Sequence, residues 1–333
     1  MTRAEARGLS IPDPEVEAQV RARLDDVEAS LEKAVRADYE ILGEAAFHLL
    51  SAGGKRLRPM LVLLSGYFGD RTDPRLVPGA VAIELTHVAT LYHDDVMDEA
   101  DSRHGVPSVN AQWGNSVAIL SGDYLFARAS EISADLGAEV TRLLARTIAT
   151  VCDGQIREVT VTGNLEQSEK NYMETIRRKT AALIATSCRL GGMLSEASAE
   201  LVDLLDRFGE ALGMGFQVSD DIMDLISTEQ ELGKEPGVDL RQGVYTLPML
   251  YAMHGADGPE LAELLSDGPP AAERFGRALE LVRREEPLKS ARRVVTGEVR
   301  RAMELASGLP QGPAREALEH IARFIAVRCG ASV

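Results

Sequence analysis

Residues 81–98 read VAIELTHVATLYHDDVMD, and this stretch decides the fold class. Val81, Leu85, Val88 and Tyr92 recur at helical spacing and form one apolar row. The row runs into Asp94-Asp95-Val96-Met97-Asp98, with carboxylates at i, i+1 and i+4. In a helix, i and i+4 share a face, so Asp94 and Asp98 repel one another. An apolar helix tolerates such a clash most easily when a cation relieves it. The donors are all oxygen, with no Cys and no paired His nearby. That set suits a hard cation, and Mg²⁺ is expected over Zn²⁺.

The pattern returns at residues 215–224, GFQVSDDIMD, as Asp220-Asp221-Ile222-Met223-Asp224. Upstream of it, Leu201, Leu204, Leu205, Phe208 and Leu212 form a second helical row. If the two helices face each other, the clusters make opposite walls of one anionic mouth. Their flanks differ, so no repeat array is inferred. A single cluster of this kind reads as a solvated helix face. Two copies in apolar sequence, with basic residues around them, point to an anionic ligand held through metal. Those basic residues are Lys55, Arg56 and Arg58, then Arg103, then Arg177-Arg178-Lys179, then Lys234. Arginine suits bidentate phosphate contacts, and lysine acts as a point charge.

Outward from the clusters, Gly, Pro and Ser breakers separate helical windows along the whole chain. Residues 151–161 fit a strand as well as a helix. No composition shift divides the chain, and the motifs spread through it. The reading is all-α: one large helical bundle over residues 15–333 around a central apolar cavity, after a flexible N-terminal segment, 1–14. Aromatics make up only 5% of the 333 residues, which also favours helix. The net charge of −16, from 36 basic and 52 acidic residues, argues against general nucleic-acid binding. Cys152, Cys188 and Cys329 form neither a disulfide framework nor a metal spacing, which fits a reducing cytoplasm. No apolar run approaches the ~20 residues needed to cross a bilayer, so a protein that is not transmembrane is expected.

These motifs together resemble the trans-polyprenyl diphosphate synthase family. The matching blocks are Gly54-Lys55-Arg56-Leu57-Arg58-Pro59, Leu91 to Asp98, Gly122-Asp123-Tyr124-Leu125, Lys179-Thr180-Ala181, Gly215 to Asp224, and Gly233-Lys234 with Asp239-Leu240. The C-terminal third matches only in helical character. The resemblance implies Mg²⁺-dependent condensation of isopentenyl diphosphate with an allylic diphosphate, by ionisation and head-to-tail elongation. It implies three Mg²⁺ per site, on Asp94 and Asp98 and on Asp220, with Asp95, Asp221 and Asp224 nearby or holding metal-bound water. Arg103, Lys179, Thr180, Gln217 and Lys234 would attend the allylic substrate. Lys55, Arg58, His87 and His104 would hold the isopentenyl diphosphate, and Phe216 would pack on its hydrocarbon. A homodimer is expected on the same ground. By itself, His87 on an apolar row reads as a core histidine; the resemblance reassigns it. Asp123 is expected to cap or brace a helix and Trp113 to pack.

Three departures from the family pattern stand out. His104 follows Arg103 where relatives commonly carry a second arginine. Val244 follows Gly243 where many have lysine, and Gln155 follows Gly154 where glutamate is frequent. Ala89 and Thr90, just over one turn before Asp94, are small and modest in size. The growing chain is expected to pass them, giving a product of geranylgeranyl length or longer. A terpene cyclase would need no isopentenyl site, and a non-catalytic partner subunit would not need two complete aspartate motifs.

Overall fold

Asp13 and Pro14 start the first helix. The Asp13 carboxylate accepts from the backbone N–H groups of Glu15 and Val16 at 3.0 and 2.9 Å. Pro14 supplies a φ already suited to the first turn. The computed structural model describes residues 11–228, 236–266 and 268–332. Ile11 is buried, so the chain is packed from the start of that range, before the expected boundary at residue 14.

The helices of the first half are α1 (Pro14–Ala34), α2 (Glu40–Ser51), α3 (Leu57–Ser65), α4 (Leu76–Met97), α5 (Val109–Trp113), α6 (Asn115–Asp135) and α7 (Ala138–Val161). Residues 151–161 are therefore helical. Then come α8 (Glu169–Ile176), a π turn (Arg177–Ala181), α9 (Ala182–Leu194) and α10 (Ala199–Ile226). Six further helices complete the described chain: α11 (Val238–Gln242), α12 (Leu247–Met253), α13 (Gly258–Leu264), α14 (Ala272–Val282), α15 (Glu285–Ser307) and α16 (Pro313–Arg328). The fold is an all-α bundle. Its one strand pair among the described residues is a small antiparallel hairpin, Ser102–Arg103 with Val106–Pro107. The turn between them needs positive φ at both central residues, and His104 and Gly105 supply 54° and 80°.

Two long helices carry the aspartate clusters. The first, α4, packs on α3, α6 and α9; the second, α10, packs on α9, α15 and α16. The shared neighbour α9 thus lies between the two walls. Because α4 is surrounded, it is apolar on nearly every side. Leu85 and Tyr92 on it, and Phe208 and Leu212 on α10, are fully enclosed. Burying each such side chain contributes about 1.5–3 kcal/mol. The Tyr92 hydroxyl is not left unpaired: it donates to the Ala45 carbonyl at 2.6 Å. Asp123 braces α6 against α4 through His93, 3.4 Å away, and Trp113 packs edge-on against His48. Among the described residues no helix is long and apolar enough to cross a membrane.

Candidate active site

The last turns of α4 open into a cavity of about 440 Å³. His87, Thr90, Leu91, Asp94 and Asp98 line it from this side. Burial pushes the Asp94 carboxyl up to about 6; nearby Lys179 opposes that rise and Asp98 adds to it. Such a carboxylate gains from a cation. Asp95, one residue on, faces elsewhere. It is 1% exposed, and one of its oxygens accepts from Arg103 at 2.8 Å (Nε) and 2.5 Å (Nη2). It does not line the cavity, whereas Arg103 does. Asp95 is expected near the metals or holding their bound water; it stands 100° round the helix from Asp94 and anchors the hairpin arginine.

The opposite wall is α10, with Phe216, Gln217, Asp220 and Asp221 facing the same cavity. Here the neighbours differ. The Asp221 carboxylate accepts from Gln217 Nε2 at 2.9 Å and from the Tyr172 hydroxyl. Burial raises Asp221 to about 7 against the pull of these two donors. Each of its oxygens already accepts one hydrogen bond. Asp224 does not line the cavity as Asp220 does. Its carbonyl accepts from Gly237 N–H at 2.9 Å and its carboxylate accepts from Asp239 N–H at 3.4 Å. It thereby ties α10 to residues 236–246, whose Asp239, Gln242, Val244, Tyr245 and Thr246 close one side of the cavity.

A cationic corner lies beside the first wall, where Arg58, His87, Arg103 and His104 all line the cavity. Burial lowers the pKa of Arg58, and the Glu84 and Asp220 carboxylates partly offset it. Burial, then Arg58, His104 and Arg103, hold His87 well below the ordinary imidazole range, so it is neutral near pH 7. Burial, Arg103 and Arg56 also lower His104. Arg56 is buried and points away. It pairs with Glu28 and Glu84, donates to the Leu50 carbonyl at 2.8 Å, and starts α3 from a left-handed backbone, φ 48°. That anchor aims Arg58, two residues on. Lys55 stands just before α3 and is not part of the cavity lining, and Lys234 lies outside the described residues.

Lys179 and Thr180 are presented by the π turn, a distortion often found at functional sites. Gly154 lets α7 press against it: a Cβ there would fall 2.4 Å from the Lys179 nitrogen. The contact brings Glu158 onto the Lys179 ammonium. Burial alone would depress Lys179, but Glu158, Asp94 and Asp98 outweigh it and raise its pKa. Thr180 donates to Gln217 Oε1 at 2.8 Å. Of the two residues expected along the growing chain, Thr90 lines the cavity, while Ala89 is fully buried outside it.

Two side chains in contact with the α10 wall escaped the sequence reading. Arg328, near the end of α16, donates to Asp220 Oδ1 at 2.6 Å and to the Phe216 carbonyl at 3.0 Å, and stacks over the Phe216 ring at 4.6 Å. Tyr172 precedes the π turn and carries no motif. Only their positions in space reveal them, since Arg328 is 108 residues from its partner.

The unshared carboxylates facing the cavity are Asp94 and Asp98, with Asp220 sharing one oxygen with Arg328. Among the described residues no three His, Cys, Asp or Glu side chains converge into a cage for a metal. An open, all-oxygen set fits Mg²⁺, which keeps waters and takes substrate phosphate oxygens to complete its shell.

The model of the polyprenyl synthetase family matches residues 39–282. The nonaprenyl diphosphate synthase of Mycobacterium tuberculosis is 43% identical over 327 residues, 97% of each chain. The heptaprenyl diphosphate synthase of Staphylococcus aureus superposes with a TM-score of 0.88 at 34% identity, over 92% of this chain and 98% of that one. A polyprenyl synthase from Caulobacter crescentus, solved with calcium and isoprenyl diphosphate, superposes with a TM-score of 0.88 at 30% identity, over 93% and 96%.

Proposed function

The chain belongs to the polyprenyl synthetase family, and from that premise we propose that it condenses isopentenyl diphosphate with an allylic diphosphate to make a polyprenyl diphosphate of geranylgeranyl length or longer. The observation that carries this reading is a single cavity lined by both aspartate walls and by the Arg58–His87–Arg103–His104 corner. One anionic head is served by metal and the other by direct cationic contact, which is what two diphosphate substrates require.

The allylic diphosphate lies between α4 and α10. Asp94 and Asp98 would hold two Mg²⁺ and Asp220 a third; when bound, the ions supply Lewis-acid charge at the leaving diphosphate. Arg103, Lys179, Gln217 and Lys234 support the same group. Arg58, His87 and His104, with Lys55, hold the isopentenyl diphosphate so that its double bond faces the reacting carbon, which is catalysis by proximity. The allylic C1–O bond breaks and its electron pair leaves with pyrophosphate. The π pair of isopentenyl diphosphate forms the new C1–C4 bond. The C2 proton passes to pyrophosphate and the trans double bond forms. Leu91, Val151, Ile176, Leu183 and Phe216 line the cavity with hydrocarbon and keep water from the cation. The product grows past Thr90. Exposed Ile119 and Leu120 on α6, and Ile156 and Val159 on the adjoining α7, support a homodimer. A cytoplasmic location accords with the free thiols.

The test is incubation of the purified chain with Mg²⁺, radiolabelled isopentenyl diphosphate and a series of allylic primers, with products sized by chromatography. Label should enter polyprenyl products of geranylgeranyl length or more, and only with divalent metal. No incorporation with any primer rejects the reading, and cyclised hydrocarbon made from the primer alone would indicate a cyclase instead.

A further inference from the structure

Three walls run from the charged mouth of the cavity into the bundle. Asp94 and Thr90 mark the way down α4, Glu158, Gln155 and Val151 down α7, and Lys179, Thr180 and Leu183 down the π turn and α9. Lys179 meets Glu158 at the mouth. Farthest from it on their helices, Val151 and Leu183 end the cavity lining with hydrocarbon.

The next turn of each helix carries a threonine. Thr147 lies four residues before Val151, and Thr186 three residues after Leu183. These spacings keep one helix face, so the threonines continue the walls that Val151 and Leu183 begin. They also meet: their hydroxyl oxygens are 2.7 Å apart, joining α7 to α9. Both residues are buried, with Leu144, Ile184 and Leu190 buried on the same two helices.

The bridge has a defined direction. Thr147 Oγ1 donates to the Leu143 carbonyl at 2.9 Å. A hydroxyl has a single proton, so Thr186 supplies the one between the two side chains. Each proton is then spent inside an apolar layer, and no donor is left unpaired. Other buried hydroxyls nearby turn back on their own helices, Ser187 to the Leu183 carbonyl and Thr86 to the Ala82 carbonyl. Thr186 instead reaches across to its neighbour.

We propose that the Thr147–Thr186 bridge is the floor of the cavity's hydrocarbon end and sets the length at which the growing polyprenyl chain stops. This rests on the proposed prenyl transfer. With the diphosphate held at the mouth, the tail descends past Thr90 and between Val151 and Leu183. Its far end then meets two γ-methyl groups and a closed hydrogen bond. To pass, it must part that bond, and hydrocarbon offers the separated hydroxyls nothing in exchange.

The test uses the full-length chain with Mg²⁺, radiolabelled isopentenyl diphosphate and a short allylic primer, with products sized by chromatography. Thr147→Ala combined with Thr186→Ala removes one layer of side chains, or about 5.4 Å of depth along the helices. The main product should lengthen by an isoprene unit or more. Thr186→Leu fills the same layer and should shorten it. In both variants the first condensation should keep its rate within about twofold of wild type, because the groups at the mouth are untouched. A general loss of packing would slow turnover without moving product length in opposite directions. A length distribution unchanged in either variant would overturn the proposal. Should the double alanine variant fail to fold by circular dichroism, Thr186→Leu decides by itself. A wild-type chain that incorporates no label rejects the functional reading, whereas normal elongation with unmoved lengths in the variants rejects only the floor.

Discussion

The two aspartate clusters, DDVMD and DDIMD, share one carboxylate spacing and have different surroundings. On α4 the cavity receives Asp94 and Asp98, while Asp95 grips Arg103. On α10 it receives Asp220 and Asp221, while Asp224 holds the 236–246 segment. Both placements obey helical geometry, because i+1 and i+4 each lie within reach of a face centred near i. The choice falls to the neighbours. Arg103 in the hairpin takes Asp95 away from the cavity, and the backbone of Gly237 and Asp239 takes Asp224 away. A shared motif fixes which residues are available to a site, and the packing around it decides which of them serve.

The largest expected effect tests whether both walls act. Asp94→Asn or Asp220→Asn should each lower turnover at least roughly 100-fold, or ~3 kcal/mol of transition-state stabilisation, as steady-state assays would show. Turnover within a few-fold of wild type in either variant would break the picture of two cooperating walls.

A sharper version separates residues of one cluster. In Asp95→Asn, Arg103 loses its anchor, and the KM for a diphosphate substrate should rise about tenfold, as expected for a charge-assisted hydrogen bond. The Mg²⁺ concentration giving half-maximal rate should stay put, whereas Asp94→Asn should raise it. Equal shifts in metal dependence for the two variants would mean that Asp95 is a ligand after all.

The same wall distinguishes Thr90 from Ala89. Thr90→Phe should shorten the product on a sizing column. Ala89→Phe should instead overfill the core at a cost of about 1–3 kcal/mol, seen as a lower melting temperature. Unchanged products in Thr90→Phe would place the growing chain elsewhere.

The smallest effect concerns the cationic corner. An imidazolium binds an anion better than an imidazole, so the KM for isopentenyl diphosphate should rise as pH rises through the titration of His104. Because its pKa is lowered, that window lies below the ordinary histidine range near 6.5. His104→Arg should flatten the profile and lower KM at neutral pH. Matching KM profiles for the two proteins would remove His104 from the site.

Much of this was legible in the chain. Apolar rows at helical spacing announced the helices, and the charged interruptions in them announced the cavity. Asp94, Asp98, Asp220, Lys179, Arg58, His87 and Gln217, each singled out from the sequence, all line one cavity. The strand-or-helix ambiguity at 151–161 was real locally, since Val-rich text suits both; contact with α8, α9 and the π turn selects helix. Arg328 and Tyr172 were not legible, because each gains its meaning from a partner far away in sequence. The roles of Asp95 and Asp224 were hidden for the same reason. Lys234 lies outside the described residues.

The most direct test is a crystal structure of the chain soaked with Mn²⁺ and a non-ionisable allylic thiodiphosphate, with the ions located by anomalous scattering. Ions bridging the analogue to Asp94 and Asp98 on one side and to Asp220 on the other, with Asp95 still on Arg103 and Asp221 still on Tyr172, is the predicted result. Manganese bound by Asp95 or Asp224, or an analogue seated away from both helices, would contradict it.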